Sequence, residues 1–160
     1  MKKLTQRIVA TGVLIGVVST SVLAVDGKKA MYVGGTRTDI KEAAEGHFDV
    51  SSETEMAFTP DKTKTRHALL YSEVTELEYG QKAGRRVAVA LLVSPIAIFS
   101  KKRKHYLTIN YKDAAGKDQA VVFELGKDLV RTTLAIVEAR SGKQIQYQDE
   151  EARKSGKGGD

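Results

Sequence analysis

Hydrophobic and polar residues alternate in several short segments of this chain, which is the pattern of half-buried β-strands. A longer segment, residues 68–79, also has strand composition, but Val74 and Leu77 are out of phase with strict alternation. A turn or bulge near Ser72 and Glu73 would restore the register. The alternation predicts further strands at residues 30–33, 47–50, 55–59, 106–111 and 121–125.

A single amphipathic helix follows the last of these strands. Apolar side chains recur at spacings of three and four residues between Leu129 and Val137, which predicts a helix over residues 129–140. Asp128 is the predicted N-cap and Gly142 the predicted stop. Residues 37–46 are predicted as an irregular connection, and residues 113–118 as the loop of a hairpin.

The most hydrophobic stretch outside the N-terminus is residues 87–99, here called the apolar segment. Cations flank it on both sides, at Arg85 and Arg86 and at the run Lys101, Lys102, Arg103 and Lys104. Residues 79–112 contain eight Lys or Arg and no acid, although the formal net charge of all 160 residues is only +6. This uneven distribution predicts one localised anionic partner and argues against a general nucleic-acid binder.

Two interpretations of the apolar segment remain open. In the first, residues 87–93 form a strand buried on both faces, which turns at Pro95 because proline is excluded from central strands. In the second, the segment is a loop that dips into a membrane, since it is too short to span one. The cations would then bind lipid phosphates. The side chains predicted to insert are Leu92, Ile96, Ile98 and Phe99.

The N-terminus has the pattern of a secretory signal. Lys2, Lys3 and Arg7 precede an apolar run at residues 8–18, and Ala24 ends a predicted cleavage site. An uncleaved membrane anchor is the alternative. The sequence therefore predicts export to the periplasm, the envelope or the medium, without disulfides because the chain has no cysteine. The predicted organisation is a signal at 1–24, a linker at 25–29, one domain at 30–147 and a disordered charged tail at 148–160.

Candidate catalytic, cofactor and metal residues are not found. His47, His67 and His105 are far apart in the sequence and lack the short ligand spacing of a zinc site. No Gly-x-Ser-x-Gly pattern is present, and no glycine-rich loop is followed by Lys-Ser or Lys-Thr at the start of a helix. We therefore predict neither an enzyme nor a bound cofactor.

The order of short strands, hairpin and final helix resembles that of pleckstrin-homology-like or GRAM-like domains, most clearly at residues 105–145. The chain also resembles small exported bacterial proteins of unassigned function. The resemblance implies a bent antiparallel sheet, or partly open barrel, capped by one C-terminal helix. The family's tryptophan on that helix is absent here. Of the family's spaced basic residues, Lys29 and Arg37 are present but Asp39 replaces another, so inositol-phosphate binding is not implied.

These patterns predict a mostly β, α+β domain that is an exported, non-catalytic binding module. Its expected partner is an anionic membrane or an envelope protein, contacted through residues 85–104, and no nucleic acid is expected. The alternative is a structural or protein-interaction domain that buries residues 87–99 in its core and does not touch lipid. The sequence predicts no particular ligand and no oligomeric state.

Overall fold

In the computed structural model, which describes residues 29–81 and 104–158, eight β-strands form one curled half-barrel sheet accompanied by two helices. The mostly β, α+β class is therefore confirmed. The strands are β1 (Ala30–Gly35), β2 (Ala44–Asp49), β3 (Glu55–Pro60), β4 (His67–Leu70), β5 (Val74–Gly80), β6 (His105–Lys112), β7 (Asp118–Leu125) and β8 (Ile145–Tyr147). The helices are α1 (Val130–Ser141) and α2 (Glu150–Lys157).

The strands are ordered β4-β3-β2-β1-β7-β6-β5-β8 across the sheet. Neighbouring strands are antiparallel except β5 and β8, which are parallel. The β1–β7 pair joins the first four strands to the rest, with Tyr32 opposite Phe123. On the other side of β7, Leu107 is also opposite Phe123. Phe123 therefore lies in the middle of the sheet.

An aromatic cluster fills the inner face of the sheet around Phe123. Its ring lies 4.8 Å from the ring of Phe48, 5.2 Å from that of Phe58 and 5.7 Å from that of Tyr32, measured between centroids. Tilted and edge-to-face pairs at these distances are favourable beyond the area they bury. Leu134 and Val137 of α1 belong to the same core, so the helix covers this face.

The predicted break near Ser72 and Glu73 is confirmed. A 3₁₀ turn, Tyr71–Glu73, separates β4 from β5, and a register shift between Val74 and Glu76 allows both Val74 and Leu77 to be buried. Tyr71 is buried, and the guanidinium of Arg140 lies 5.9 Å from the centroid of its ring. Arg140 also donates to the carbonyl oxygens of Val50 and Ser52. The arginine therefore connects α1 to the loop before β3.

The predicted helix over residues 129–140 is confirmed as α1, to within about one residue at each end. Gly142 ends it in the left-handed region, with φ of 67°, and donates its N–H to the carbonyl oxygen of Glu138. The prediction that Asp128 is the N-cap of this helix is wrong. Leu129 occupies the cap position without a side-chain hydrogen bond, because a backbone turn from Gly126 to Leu129 leads directly into the helix.

The prediction of a disordered tail at residues 148–160 is wrong where the structure describes that region. Asp149 caps α2 by accepting a hydrogen bond from the N–H of Ala152 at 2.7 Å. Ala152 and Gly156 are buried, and a Cβ on Gly156 would lie 2.7 Å from the Tyr147 ring. A charged sequence therefore forms a docked helix because small residues allow close packing.

Tyr79 attaches α2 to the sheet. Its hydroxyl lies 2.6 Å from Nδ1 of His105 on β6 and 3.1 Å from Oγ of Ser155 on α2. Burial raises the pKa of the Tyr79 phenol and lowers the pKa of His105, so both groups favour their neutral forms. Three elements thus meet at one hydroxyl group.

Several predictions fall outside the residues that the structure describes. They concern the signal at 1–24, nearly all of the linker at 25–29, and the apolar segment with most of its flanking cations. Within residues 29–81 and 104–158, neither helix is long and apolar enough to cross a membrane.

Candidate functional site

A pocket opens on the inner face of the sheet, near the connection between β1 and β2. Its enclosed part measures only about 20 Å³, which is room for roughly one water molecule, and the rest of the recess is open to solvent. Its lining is mainly apolar and comes from β2, β3, β4, β6, β7 and the residues after β1. The lining residues are Arg37, Ile40, Phe48, Met56, Ala57, Phe58, His67, Leu69, Tyr111, Val121 and Phe123.

The floor and the rim of the pocket have different origins. The floor consists of inward-facing strand residues, including Phe48, Phe58 and Phe123, which strict alternation places on the core side. The rim comes from His67 on β4 and from the irregular residues 36–43 after β1, where Ala43 has a positive φ of 55°. Residues 37–46 were predicted as an irregular connection, which is confirmed for residues 37–43 but wrong for residues 44–46, since these belong to β2. The connection brings Arg37 and Asp39 to the pocket's edge.

Three charged or titratable side chains form the polar rim, which is defined here as Arg37, Asp39 and His67. The guanidinium of Arg37 donates to both carboxylate oxygens of Asp39, at 2.9 and 2.5 Å. The second of these oxygens lies 3.0 Å from Nδ1 of His67. Arg37 also donates to the carbonyl oxygen of Ala68, at 3.4 Å. Asp39 therefore links an arginine to a buried histidine.

The charge of Asp39 determines how His67 is protonated. The hydrogen bonds from Arg37 hold the pKa of Asp39 at about 2, so the carboxyl group is ionised at neutral pH. An ionised carboxylate can only accept hydrogen bonds, so Nδ1 of His67 must carry the proton in this contact. In the neutral ring, Nε2 is then a hydrogen-bond acceptor.

Arg37 does not bring an unpaired positive charge to the rim. Arg37 is already bound to a carboxylate and to a backbone carbonyl. Two phenols lie nearby, and the hydroxyl of Tyr32 donates to the carbonyl oxygen of Arg37 at 3.2 Å. Burial raises the pKa of both Tyr32 and Tyr111, so both phenols remain neutral. The pocket is thus apolar, with two neutral phenols and the imidazole of His67 at its edge.

Most residues predicted to contact an anionic surface lie outside the described residues. They are Arg85, Arg86, Lys101, Lys102 and Arg103, together with the predicted inserting residues Leu92, Ile96, Ile98 and Phe99.

Lys104 is the one predicted surface cation that the structure describes, and it is not exposed. Its side chain is 7% exposed, and its ammonium lies 2.8 Å from Oε2 of Glu124, which is itself buried. The adjacent strand pairs His105 with Leu125 and Tyr106 with Glu124, so Lys104 reaches Glu124 across the β6–β7 ladder. We therefore remove Lys104 from the predicted lipid-binding cations.

The polar rim was not predicted from the sequence. His67 was interpreted as an ordinary residue because no acid lies near it in the chain; its partner Asp39 is 28 positions away. The other two histidines also have partners: Nε2 of His47 lies 3.4 Å from Asp61, and His105 contacts Tyr79. Among residues 29–81 and 104–158, no three His, Cys, Asp or Glu side chains are arranged to hold a metal ion.

Comparison with known proteins does not assign this chain. Its sequence matches no protein-family model, and no curated protein is significantly similar to it. The geometry of the pocket is therefore the basis for a functional proposal.

Replacing Asp39 with asparagine should make the free energy of unfolding depend less on pH in the acidic range. A carboxyl whose pKa is lowered by folding adds stability above its unfolded pKa, and this stability is lost as the pH falls toward about 2. Because the Asp39 side chain is 50% exposed, we expect a contribution of only about 1 kcal/mol or less. Urea unfolding of both proteins at pH 5, 4, 3 and 2 measures it. A stability difference that is constant over this range would contradict the prediction.

Proposed function

We propose that this protein is an exported, non-catalytic binding module whose ligand enters the pocket beside His67. The observation that carries the proposal is the combination of an apolar floor with a buried histidine held in one tautomer by Asp39. Small-molecule sites commonly combine a largely apolar lining with a few well-placed polar groups.

The size and lining of the pocket restrict the ligand. The enclosed part, about 20 Å³, has room for roughly one water-sized group, so most of a ligand would lie in the recess that is open to solvent. In the neutral form of His67, the acceptor at Nε2 favours a ligand that also carries a hydroxyl or N–H donor. We therefore propose a small amphipathic ligand that places its apolar part in the open recess lined by Phe48 and Phe123 and its donor beside His67.

Phenol is a suitable probe because it combines one ring with one hydroxyl donor, whereas toluene has the same shape without the donor. We expect phenol, titrated into isotopically labelled protein, to shift the NMR signals of the His67 ring and of the Met56 and Leu69 methyl groups. Replacing His67 with phenylalanine removes the acceptor. One hydrogen bond contributes about 1 kcal/mol net to the free energy of binding. Phenol should therefore bind roughly fivefold more weakly to His67→Phe than to the unmodified protein.

The matched control is His47→Phe, because the His47 side chain is 63% exposed and does not line the pocket. This variant should bind phenol as the unmodified protein does, and the affinity for toluene should be the same in all three proteins. Equal affinity for phenol and toluene in the unmodified protein would contradict the role of His67. A lack of shifts at the pocket residues would contradict the site itself.

We further propose that the fold is of the pleckstrin-homology type. Two antiparallel meanders, β1–β4 and β5–β7, joined through the β1–β7 pair, support this proposal, as does a helix against the core after the last antiparallel strand. The parallel strand β8 and the second helix α2 are additions to the expected arrangement.

Export is part of the proposal, and we expect cleavage after Ala24. Protein recovered from the cell envelope or medium should give an intact mass that corresponds to a start at Val25. Full-length chain recovered from the cytosol would contradict it. Contact with an anionic membrane through Arg85, Arg86 and residues 101–103 stays a prediction, and it does not depend on the pocket.

A further inference from the structure

The phenol of Tyr111 lines the pocket, and its hydroxyl group has no hydrogen-bond partner among residues 29–81 and 104–158. Tyr111 is on β6, where it points to the inner face together with Leu107 and Ile109, and it is 7% exposed. Buried polar groups nearly always have a hydrogen-bond partner. A buried hydroxyl that the described residues leave unpaired beside a pocket is therefore available to a ligand.

The hydroxyl group of Tyr111 lies near the polar rim. Burial is the main cause that raises the pKa of Tyr111, and the charges of Arg37 and Asp39 also act on it, the first lowering the pKa and the second raising it. Such electrostatic effects decrease with distance, so the phenol oxygen is close to both groups. Tyr111 and His67 thus border the recess beside the same ion pair.

Two other buried tyrosines differ from Tyr111 in this respect. The hydroxyl of Tyr32 donates to the carbonyl oxygen of Arg37 at 3.2 Å, so its proton is already used. The hydroxyl of Tyr71 has no partner among the described residues, but Tyr71 packs near the guanidinium of Arg140 and does not line the pocket. Of the three, Tyr111 alone combines a place in the pocket with a hydroxyl that no described residue pairs.

We propose that Tyr111 determines the class of ligand by donating a hydrogen bond to the carbonyl oxygen of an uncharged amide. This inference rests on the proposed function of the pocket. In the neutral form of His67, Nε2 accepts a hydrogen bond from the ligand, while the Tyr111 hydroxyl donates one to it. The ligand then needs a donor and an acceptor beside its apolar part. A carboxamide or a lactam carries both on one planar group.

The charges at the rim favour an uncharged ligand. The guanidinium of Arg37 donates to both oxygens of Asp39, so its charge is already compensated. The pKa of Asp39 is about 2, so this group is ionised at neutral pH and would repel a carboxylate ligand. An ammonium group would offer no acceptor for the proton of the Tyr111 hydroxyl. An amide satisfies both polar groups without bringing a charge.

Three small probes separate the two contacts. Benzamide carries an N–H donor and a carbonyl acceptor, pyrrole carries only the donor, and acetophenone only the acceptor. Each is titrated at neutral pH into the isotopically labelled full chain, and the NMR shifts of the Met56 and Leu69 methyl groups give its affinity. In Tyr111→Phe, benzamide and acetophenone should bind about fivefold more weakly and pyrrole with unchanged affinity. In His67→Phe, benzamide and pyrrole should weaken and acetophenone should not.

The matched control is Tyr71→Phe, which removes a hydroxyl that the described residues also leave unpaired, but one outside the pocket. All three probes should bind this variant as they bind the unmodified protein. Benzoate has the shape of benzamide with a negative charge, and it should bind the unmodified protein more weakly than benzamide does. Tighter binding of benzoate than of benzamide would overturn the proposal.

The same titrations distinguish failure of this proposal from failure of the proposed function. If pyrrole shifts the signals of Met56 and Leu69 while benzamide binds Tyr111→Phe as tightly as the unmodified protein, the pocket binds ligands but Tyr111 does not select them. That result overturns the present proposal alone. If none of the probes shifts these signals, both proposals are wrong.

A measurement on the unmodified protein covers the case in which Tyr111→Phe does not fold. The tyrosine Cζ atoms are isotopically labelled, and their NMR signals are recorded with acetophenone and with toluene, which has no acceptor. A hydrogen bond from the hydroxyl changes the electron density at Cζ. We therefore expect acetophenone to shift the Cζ signal of Tyr111 more than toluene does, and to leave that of Tyr71 unchanged. Equal shifts of the Tyr111 signal with the two probes would overturn the proposal.

Discussion

Lys104→Met should lower the free energy of unfolding by about 3–5 kcal/mol. The Lys104 and Glu124 side chains are only 7% and 4% exposed, and their charged atoms are 2.8 Å apart. Methionine keeps much of the apolar stem of lysine but removes the charge. The change therefore leaves the Glu124 carboxylate buried without its partner, and an unpaired buried charge is costly. Urea denaturation at neutral pH measures the loss.

Two further variants isolate the effect of burial. Lys112→Met removes the cation of an exposed pair, since Lys112 is 54% and Asp118 85% exposed; it should cost about 0–1 kcal/mol. The double variant Lys104→Met with Glu124→Leu removes both buried charges and should recover most of the stability lost in Lys104→Met. If Lys104→Met costs no more than Lys112→Met, the buried pair is not the cause.

Phe123→Ala should destabilise the domain by about 3–5 kcal/mol, which is the usual range for removing a buried aromatic ring. Phe123 is 4% exposed and contacts the rings of Tyr32, Phe48 and Phe58, so its loss opens a cavity in the middle of the sheet. Because Phe123 also lines the pocket, the cavity should join it. An enlarged apolar cavity accepts small aromatic molecules.

Leu70→Ala is the control, because Leu70 is 42% exposed and its truncation should change stability by less than about 0.5 kcal/mol. Toluene should raise the melting temperature of Phe123→Ala more than that of either Leu70→Ala or the unmodified protein, since ligands stabilise the state that binds them. A loss below about 1 kcal/mol in Phe123→Ala would show that the aromatic cluster is not the centre of the core.

Local patterns were sufficient to predict most strands and the first helix. Met56 and Phe58 alternate with polar neighbours, and the phase change near Ser72 and Glu73 identified a turn. The helix α2 was missed because its buried positions are Ala152 and Gly156, which give no hydrophobic periodicity. Its stability comes from a capping side chain and from close packing on neighbouring rings, both of which depend on the finished fold.

The pocket could not be predicted in the same way. Its polar rim joins residues from a connection and from β4, and its floor draws Phe48 and Phe123 from strands far apart in the sequence. Only the β1–β7 and β3–β4 registers bring these groups together. The partner of Lys104 is a further example, since Glu124 is twenty positions away. Charge runs in a sequence show where cations are, but not which of them a sheet will bury.

The β1–β7 pair has a consequence for the order in which the chain folds. Of the strands that the structure describes, β1 is synthesised first, yet one of its two neighbours in the sheet is completed only at Leu125. Until then, the meander β1–β4 lacks both a neighbouring strand and the ring of Phe123, so Phe48 and Phe58 have no aromatic partner from the second half. Contacts so distant in sequence form slowly. The nascent chain should therefore stay open until its second half is made, and the export that we propose would require such an open chain.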